Sequence, residues 1–231
     1  MKKSSKKRVG ILGGSFDPVH NGHIGLATQV KEKFRLDQIL FIPAFISPHK
    51  QDSRPAPAHH RLAMLQLAIA PHPCFLISEM ELDRKKVSFT VDTLSVLTAE
   101  QPDTDFFLIM GSDAFAGIKT WKSIRQLLGM GHFIVATRPG FTLERIEENL
   151  KNLFPDLESS FSPATVEEDV IVFHHRSQST TLNFFDLIPM DISSSVIRKN
   201  INRHREIKNM LPPEVENYMI KNQLYVAKSH P

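Results

Sequence analysis

The sequence predicts an α/β fold with a doubly wound, mostly parallel sheet and helices on both faces. First, short β-type runs alternate with segments of helical character. Second, the strand segments Asp105–Met110 and His132–Thr137 are apolar on both faces, as the buried strands of a parallel sheet are. Third, hydrophobic residues make up 41% of the 231 positions and charged residues 23%, so the chain can bury a core without disulfides or metals.

The elements are predicted in chain order from apolar runs, helical spacing and turn residues, and together they form a Rossmann-like arrangement. A proline closes the second strand, and Pro212-Pro213 opens the last helix, where proline is tolerated. The predicted strands are Arg8–Leu12, Gln38–Pro43, Phe75–Ser78, Asp105–Met110, His132–Thr137 and Val170–Phe173. The predicted helices are Ile24–Phe34, His60–Ala70, Val91–Ala99 and a last one that ends near Asn222.

Residues 8–231 are predicted to form a single domain that follows a basic, disordered tail at residues 1–7. The formal net charge is +3, and the five positive charges of this N-terminus are Lys2, Lys3, Lys6, Lys7 and Arg8. Residues 9–231 therefore carry about −2, and no specific nucleic-acid partner is expected. The least regular stretch, residues 140–190, is predicted to be an insertion or an irregular excursion.

The single cysteine, Cys74, cannot form an intramolecular disulfide, which fits a reducing compartment. No apolar run reaches the roughly 20 residues of a membrane span. Gly13, Gly14 and Asp17 interrupt any signal-peptide core after the basic N-terminus. We therefore expect a cytoplasmic protein without a membrane partner, and a homo-oligomer is compatible with the sequence.

The string Gly13–His23 (Gly-Gly-Ser-Phe-Asp-Pro-Val-His-Asn-Gly-His) follows the first strand and predicts a phosphate site. Two glycines allow a ligand to approach the backbone closely. The helix that follows offers N–H groups and the positive end of its dipole to an anion. His20 and His23 are three residues apart, so they share one face of a first helical turn.

Other uses of this string fit less well. It is neither the dinucleotide-binding GxGxxG motif nor a Walker A loop, which needs Gly-Lys-Ser/Thr. A zinc site would need a third ligand, and no nearby Cys or acid provides one at a suitable spacing. Two histidines taken alone are equally compatible with a structural role, so the complete string is what favours the phosphate site.

Further polar groups follow later strands, where the ligands of an open parallel sheet bind. A carboxylate after the small pair Gly111-Ser112 suits ribose hydroxyls, and Thr90 suits a helix N-cap. Taken alone, Lys50 is typical of a solvated side chain, and the only tryptophan is typical of a core aromatic. The segments are Ser47-Pro48-His49-Lys50, Ser88-Phe89-Thr90-Val91-Asp92-Thr93-Leu94, Met110-Gly111-Ser112-Asp113, Trp121 and Arg138-Pro139-Gly140.

Ile192–Arg198 (Ile-Ser-Ser-Ser-Val-Ile-Arg) predicts a second anion site. Three hydroxyls precede a helix-like run and suit an N-cap, although capping alone explains only one of them. Arg198 lies three residues beyond Ser195 and faces the same way on a helix. Hydroxyls, free amides and a guanidinium together bind an anion.

Taken in order, these motifs resemble the nucleotidyltransferase superfamily whose hallmark is a His-x-Gly-His element. More narrowly, they resemble the bacterial nicotinate-mononucleotide adenylyltransferases, and five motifs spread over nearly the whole chain carry the resemblance. The chain has Phe89 where that family has Tyr, and Lys86 where a glycine is expected. Both departures concern loop shape, whereas Ser195 replaces a Thr and keeps its hydroxyl.

The resemblance implies adenylyl transfer from ATP to nicotinate mononucleotide, which gives nicotinate adenine dinucleotide and pyrophosphate in NAD biosynthesis. It implies that Mg²⁺ is carried mainly by the phosphates, with no metal site of the protein's own. The implied catalytic residues are His20, His23 and Arg198, and the implied mononucleotide-binding residues are Lys50, Thr90, Trp121 and Arg138. The implied ATP-binding residues are Gly13, Gly14, Ser15, Phe16, His20, His23, Gly111, Ser112, Asp113, Ile192, Ser193, Ser194, Ser195 and Arg198.

Two other functions stay open at this level. Another adenylyltransferase of the superfamily, for example one acting on phosphopantetheine, would share the first and last motifs. It has no reason to keep the Ser-Phe-Thr segment at residues 88–90 or Trp121. A non-catalytic nucleotide sensor would be favoured by loss of His20 or His23, and both are present.

Overall fold

The computed structural model describes residues 6–48, 55–137, 142–154, 160–167, 169–188, 190 and 192–226. Within these ranges eight strands form one sheet. The strands are β1 (Lys7–Gly14), β2 (Gln38–Pro43), β3 (Phe75–Ile77), β4 (Thr104–Gly111), β5 (His132–Thr137), β6 (Thr165–Glu167), β7 (Val170–His174) and β8 (Thr181–Asp186). Their order in the sheet is β3-β2-β1-β4-β5-β8-β7-β6.

Helices connect most of the strands. They are α1 (Asn21–Lys33), α2 (Ala58–Ile69), α3 (Met80–Arg84), α4 (Thr90–Glu100), α5 (Ser112–Ala116), α6 (Ile124–Met130), α7 (Leu143–Leu153), α8 (Ser194–Asn202) and α9 (Pro213–Lys221). A 3₁₀ turn covers Ile118–Thr120. No helix in the described part of the chain is long and apolar enough to cross a membrane.

The sheet is mostly parallel. Strand β4 runs parallel to β1 and β5, and β5 runs parallel to β8. Strand β7 runs antiparallel to both β8 and β6, so the sheet ends in an antiparallel edge that the sequence did not predict. The predicted Rossmann-like α/β class is confirmed.

Most predicted elements are present, with shifted ends. Strands β2 and β5 have their predicted bounds, whereas β1 begins at Lys7, inside the predicted tail. Lys6 also pairs with Asp105 at 3.3 Å, so the predicted tail boundary at residue 7 is wrong, and residues 1–5 lie outside the described ranges. Where the structure describes residues 140–190, the stretch holds α7 and three strands and is regular.

Contacts divide the chain into two compact units, and the predicted single domain stays a prediction. The first unit comprises Met1–Leu12, Gln29–Ile39 and Phe89–Pro189, and the second comprises Gly13–Thr28, Leu40–Ser88 and Met190–Pro231. In the first unit, a Cβ on Gly10 would come within 2.9 Å of three aliphatic side chains, so a larger residue there would have to displace the ends of those side chains.

The core of the second unit forms around α2, α9 and the segment that follows β1. Met64 and Leu65 of α2 and Val215 of α9 are fully buried. A hydrogen bond of 2.9 Å joins Nδ1 of His60 on α2 to the Tyr218 hydroxyl on α9. This unit carries both of the predicted anion-binding motifs.

Candidate active site

Residues 13–20, which we call the glycine loop, end β1 and lead into α1, where they bring two histidines together. Helix α1 begins at Asn21, so His20 immediately precedes the helix and His23 lies in its first turn. The two ring centroids are 3.7 Å apart, and the rings share one face as their spacing predicts. The His20 backbone N–H donates to Nδ1 of His23 at 3.2 Å. This bond assigns the proton of a neutral His23 ring to Nε2.

Of the two residues between the histidines, Gly22 must be small. A Cβ at Gly22 would lie 3.0 Å from Nδ1 of His20 and 3.5 Å from the carbonyl oxygen of Ile192. A contact of 3.0 Å is tighter than ordinary packing allows, so a side chain at position 22 would push the His20 ring away. The glycine of the His-x-Gly-His element thus has a local steric reason.

His20 is a buried, neutral imidazole. Its side chain is only 6% exposed, and its Nδ1 has no hydrogen-bond partner among the described residues. Burial lowers the pKa of His20 from 6.5 to about 4, because the charged form loses its hydration. A buried nitrogen without a partner costs roughly 1–3 kcal/mol.

The second anion motif is bonded directly to the glycine loop. Arg198 of α8 donates from Nη1 to the backbone carbonyl of Asp17, and the same nitrogen lies 3.6 Å from Oδ2 of Asp17. The Ser194 hydroxyl donates to the Pro18 carbonyl at 2.9 Å. The two motifs that sequence reasoning treated separately therefore form one assembly.

We call Gly13–His23 together with Ser193–Arg198 the phosphate cradle. Ser193 is the N-cap of α8, since its hydroxyl accepts the Val196 N–H at 3.3 Å, and one serine of the three therefore has the predicted capping role. Its Oγ also lies 3.0 Å from that of Ser195, which is exposed. The start of α8 thus presents hydroxyls and backbone amides together.

Phe16 is a core residue of the cradle. Its side chain is 1% exposed and meets the His23 ring edge-on at a centroid distance of 5.1 Å. Only its backbone can therefore face a ligand. By contrast, a Cβ added at Gly13 would meet no atom of the described residues within 4 Å, so the backbone there borders open space.

Sequence reasoning missed Arg61, which is 2% exposed and fixes the glycine loop. Its Nη1 donates to the Ser15 carbonyl at 2.6 Å and its Nε to the Ala56 carbonyl at 3.0 Å. Phe16 has a φ of 48°, a left-handed conformation that costs a non-glycine residue roughly 1–2 kcal/mol. Arg61 helps to hold that conformation. The available signal was that Arg61 is the only Lys, Arg, Asp or Glu in the mainly apolar predicted helix His60–Ala70.

In the first unit, the predicted adenosine-binding segment ends β4 and begins α5. Gly111 is the last residue of β4, and a Cβ there would meet no described atom within 4 Å. Ser112 and Asp113 form the first turn of α5 and line a cavity of about 310 Å³ whose other walls are mainly apolar. The Asp113 carboxylate is exposed.

Also in the first unit, Phe89, Thr90, Asp92, Trp121 and Lys122 form what we call the aromatic region. The Lys122 ammonium contacts both carboxylate oxygens of Asp92 at 2.9 Å and lies 4.8 Å from the centre of the Phe89 ring. Thr90 is the first residue of α4 and Phe89 is its N-cap, so the predicted capping role of Thr90 is wrong. Thr90 and Trp121 are both half-buried.

Two of the predicted mononucleotide-binding residues, Lys50 and Arg138, lie outside the described residues. The structure describes Ile192, whose carbonyl oxygen is the one that limits the space at Gly22. In the described part of the chain, no group of three or more His, Cys, Asp or Glu side chains is placed to hold a metal ion.

Known proteins resemble this chain over nearly its whole length. A family model described as cytidylyltransferase-like matches residues 11–200. A relative from Desulfatibacillum aliphaticivorans, named "Probable nicotinate-nucleotide adenylyltransferase", is 37% identical over 223 residues, which cover 95% of this chain and 100% of the relative. One of the same name from Citrifermentans bemidjiense is 36% identical over 219 residues, covering 95% and 98%.

A solved structure shares the fold. It is the Plasmodium falciparum nicotinic acid mononucleotide adenylyltransferase complexed with NaAD, which superposes with a TM-score of 0.71 at 22% identity. The match covers 95% of this chain and 97% of that one.

Proposed function

The chain belongs to the family of nicotinate-nucleotide adenylyltransferases, and on that premise we propose that it transfers the adenylyl group of ATP to nicotinate mononucleotide. The products are nicotinate adenine dinucleotide and pyrophosphate. The observation that carries the proposal is the bonding of Arg198 and Ser194 to the backbone of the glycine loop. Those bonds unite two anion-binding motifs in one cradle.

The reaction needs no general base. The attacking group is the phosphate monoester of the mononucleotide, whose second pKa is about 6, so it is largely dianionic at neutral pH. The protein instead has to bring two anions together and stabilise the charge on the α-phosphoryl oxygens and on the leaving pyrophosphate. Amide N–H groups, imidazoles and a guanidinium are suitable groups for that task.

The two histidines act as hydrogen-bond donors to phosphate oxygens. His23 directs Nε2–H at the transferring phosphoryl group, because its Nδ1 accepts the backbone bond from His20. His20 is neutral at pH 7, since its pKa lies near 4, and donates an N–H without carrying charge. Burial of the His20 ring keeps its geometry fixed through the reaction.

The remaining residues divide between the two substrates. Arg198 and Ser193–Ser195 hold the β- and γ-phosphates, and Gly111 with Asp113 holds the adenosine part. The pyridine nucleotide contacts Lys50, Thr90, Trp121 and Arg138. These roles follow the family resemblance residue by residue.

Mg²⁺ would be held by the nucleotide's phosphate oxygens and water, where it neutralises charge on the pyrophosphate. The carboxylate of the cradle, Asp17, is already engaged by Arg198, Tyr225 and the Ala56 N–H. An ion carried by the substrate fits this donor set better than an ion bound to protein carboxylates. The lone cysteine favours the cytoplasm as the site of the reaction.

The test is an assay of pyrophosphate release from ATP with each of three acceptors. Nicotinate mononucleotide should give rapid release, with nicotinamide mononucleotide slower and phosphopantetheine inactive. Release with phosphopantetheine and with neither mononucleotide would show that the protein transfers the adenylyl group to a different acceptor. ATP binding without release from any acceptor would make the protein a nucleotide sensor.

A further inference from the structure

The C-terminal segment after α9 reaches the phosphate cradle through one hydroxyl. Tyr225 donates from its phenol to Oδ1 of Asp17 at 2.7 Å, across 208 residues of sequence. Burial, together with this bond, raises the pKa of the Tyr225 phenol well above its usual range, so the phenol stays protonated and donating. Tyr225 has a φ of 64°, a conformation that non-glycine residues adopt only where the surroundings fix it.

Asp17 is the point where several parts of the second unit meet. Its Oδ1 accepts the phenol of Tyr225 and the Ala56 N–H at 3.0 Å, while its Oδ2 lies 3.6 Å from Nη1 of Arg198. Arg61 also interacts electrostatically with this carboxylate. The side chain is only 11% exposed, so its orientation is set by these partners rather than by water.

We propose that Tyr225 is a positioning residue that affects the binding of ATP. Its hydroxyl orients the Asp17 carboxylate and thereby limits how tightly that carboxylate holds Arg198. With Oδ1 occupied by Tyr225 and Ala56, only Oδ2 faces the guanidinium, at a distance longer than a hydrogen bond. Without the phenol, the carboxylate can turn and bind Arg198 more closely, which draws the guanidinium away from the phosphates. This inference rests on the role proposed above for Arg198.

The decisive comparison uses the only two tyrosines of the chain. Tyr225→Phe removes the hydroxyl that reaches Asp17. The matched control, Tyr218→Phe, removes a hydroxyl from α9 that bonds to His60 and reaches no residue of the cradle. We expect Tyr225→Phe to raise the KM for ATP about tenfold, the size expected when Arg198 loses one hydrogen bond to a charged phosphate. The KM for nicotinate mononucleotide should change less than twofold, and Tyr218→Phe should leave both KM values unchanged.

A double-mutant cycle with Asp17→Asn tests whether the effect passes through the carboxylate. If it does, Tyr225→Phe should add little to the ATP KM of an Asp17→Asn variant. Thermal unfolding of each variant provides the stability reading. A Tyr225→Phe variant that loses stability as Tyr218→Phe does and shows no ATP effect would overturn the proposal, as would fully additive effects in the cycle.

The variant Arg198→Lys distinguishes the positioning role of Tyr225 from the proposed binding of the ATP phosphates by Arg198. A large rise in ATP KM for Arg198→Lys with none for Tyr225→Phe refutes the positioning role and leaves the proposed function intact. No change for Arg198→Lys refutes the assignment of Arg198 to the phosphates, and with it the route by which Tyr225 would act.

Discussion

The phosphate cradle and the aromatic region differ in how their residues are held. In the cradle, Asp17 is buried and Arg198 is partly exposed, and hydrogen bonds join residues 176 to 208 positions apart in the sequence. In the aromatic region, the Asp92–Lys122 pair joins residues 30 apart, and both side chains are nearly half exposed. An ion pair of that kind contributes roughly 0–1 kcal/mol. The buried Asp17 and these long-range bonds therefore preorganise the cradle more strongly than the aromatic region.

That contrast matches the proposed division of work between chemistry and substrate choice. Stabilising charge in a transition state requires donors that are fixed before the reaction begins. Distinguishing one pyridine ring from another depends on fewer groups and tolerates a more adjustable site. Phe89 departs from the resembled pattern and lies in the aromatic region, whereas the cradle departs only at Ser195, which keeps the hydroxyl.

The largest effect that would sharpen this comparison is expected at His23. His23→Ala removes a preorganised donor, so kcat should fall by about 10²–10³. The KM for nicotinate mononucleotide should change much less, because that substrate is assigned to the aromatic region. Steady-state kinetics with each substrate varied in turn provide the measurement.

His23→Gln is the matched control for that variant. Its amide N–H lies near the position of Nε2, so it should recover at least about tenfold of the activity lost by His23→Ala. An alanine variant within threefold of wild type would show that the cradle does not stabilise the transition state through His23.

The next largest effect concerns the stability that burial of His20 makes dependent on pH. The folded-state pKa of His20 is about 4, below its usual 6.5, so the unfolded chain binds more protons between these values. The free energy of unfolding therefore decreases as the pH falls from about 6.5 to 4, by about 2–3 kcal/mol from this group. His20→Asn removes the titrating ring and should lose less stability over the same range.

Urea unfolding of wild type and His20→Asn at several pH values between 7.5 and 4 checks this expectation. On acidification, wild type should lose about 2–3 kcal/mol more of its free energy of unfolding than His20→Asn does. Curves that stay parallel would show that His20 is hydrated in solution, and the contrast in burial between the two regions would then be smaller than the structure indicates.

The fold and the cradle were largely predictable because their signals are local. The Gly13–His23 string follows an apolar strand, and Ser193 precedes an amphipathic run, so short windows of sequence carried both predictions. Strand β8 was not predicted because it includes the polar residue Asn183. This side chain can be buried because its amide donates hydrogen bonds to the Phe133 carbonyl and to the Thr181 hydroxyl. Hydrogen bonds that satisfy a buried polar side chain depend on neighbouring strands, so a short stretch of sequence does not reveal them.

The roles of Arg61 and Tyr225 could not be predicted from the sequence for a related reason. Arg61 is tolerated in the core because its guanidinium donates hydrogen bonds to the backbone carbonyls of Ser15 and Phe45. The proposed role of Tyr225 depends on its hydrogen bond to Asp17, which lies 208 positions away in the sequence. Both depend on tertiary structure, whereas hydrophobic periodicity reports only which side of an element faces a core.

Moderate effects are expected in the aromatic region, and they should fall on the mononucleotide alone. Thr90→Val should reduce the preference for nicotinate over nicotinamide mononucleotide by roughly tenfold, since a lost hydrogen bond to a charged carboxylate has that size. Thr90→Ser keeps the hydroxyl and is the matched control. Competition between the two mononucleotides at fixed ATP measures the preference, and an unchanged ratio would remove Thr90 from the specificity site.

Trp121 offers a direct reading of the same region, because it is the only tryptophan of the chain. If the indole stacks on the pyridine ring, nicotinate mononucleotide should change its emission in a saturable way, and ATP alone should change it less. Trp121→Ala should weaken both mononucleotides, since either ring can stack, while Trp121→Phe should retain part of the affinity. Emission that saturating mononucleotide leaves unaltered would make Trp121 a packing residue.

The smallest effect is expected at the N-terminus, which belongs to neither region. A chain that begins at Lys7 keeps all of β1 but loses the exposed Lys6–Asp105 pair, which contributes at most about 1 kcal/mol. A chain that begins at Lys6 keeps that pair and is the matched control. Both should retain the wild-type kcat and show a lower isoelectric point. Only the first should lose a little stability in thermal unfolding, because only the first lacks the Lys6 ammonium that pairs with Asp105. A tenfold loss of kcat in folded protein would show instead that the basic segment closes over the reacting groups, and preorganisation of the cradle would then depend on more than the buried network around Asp17.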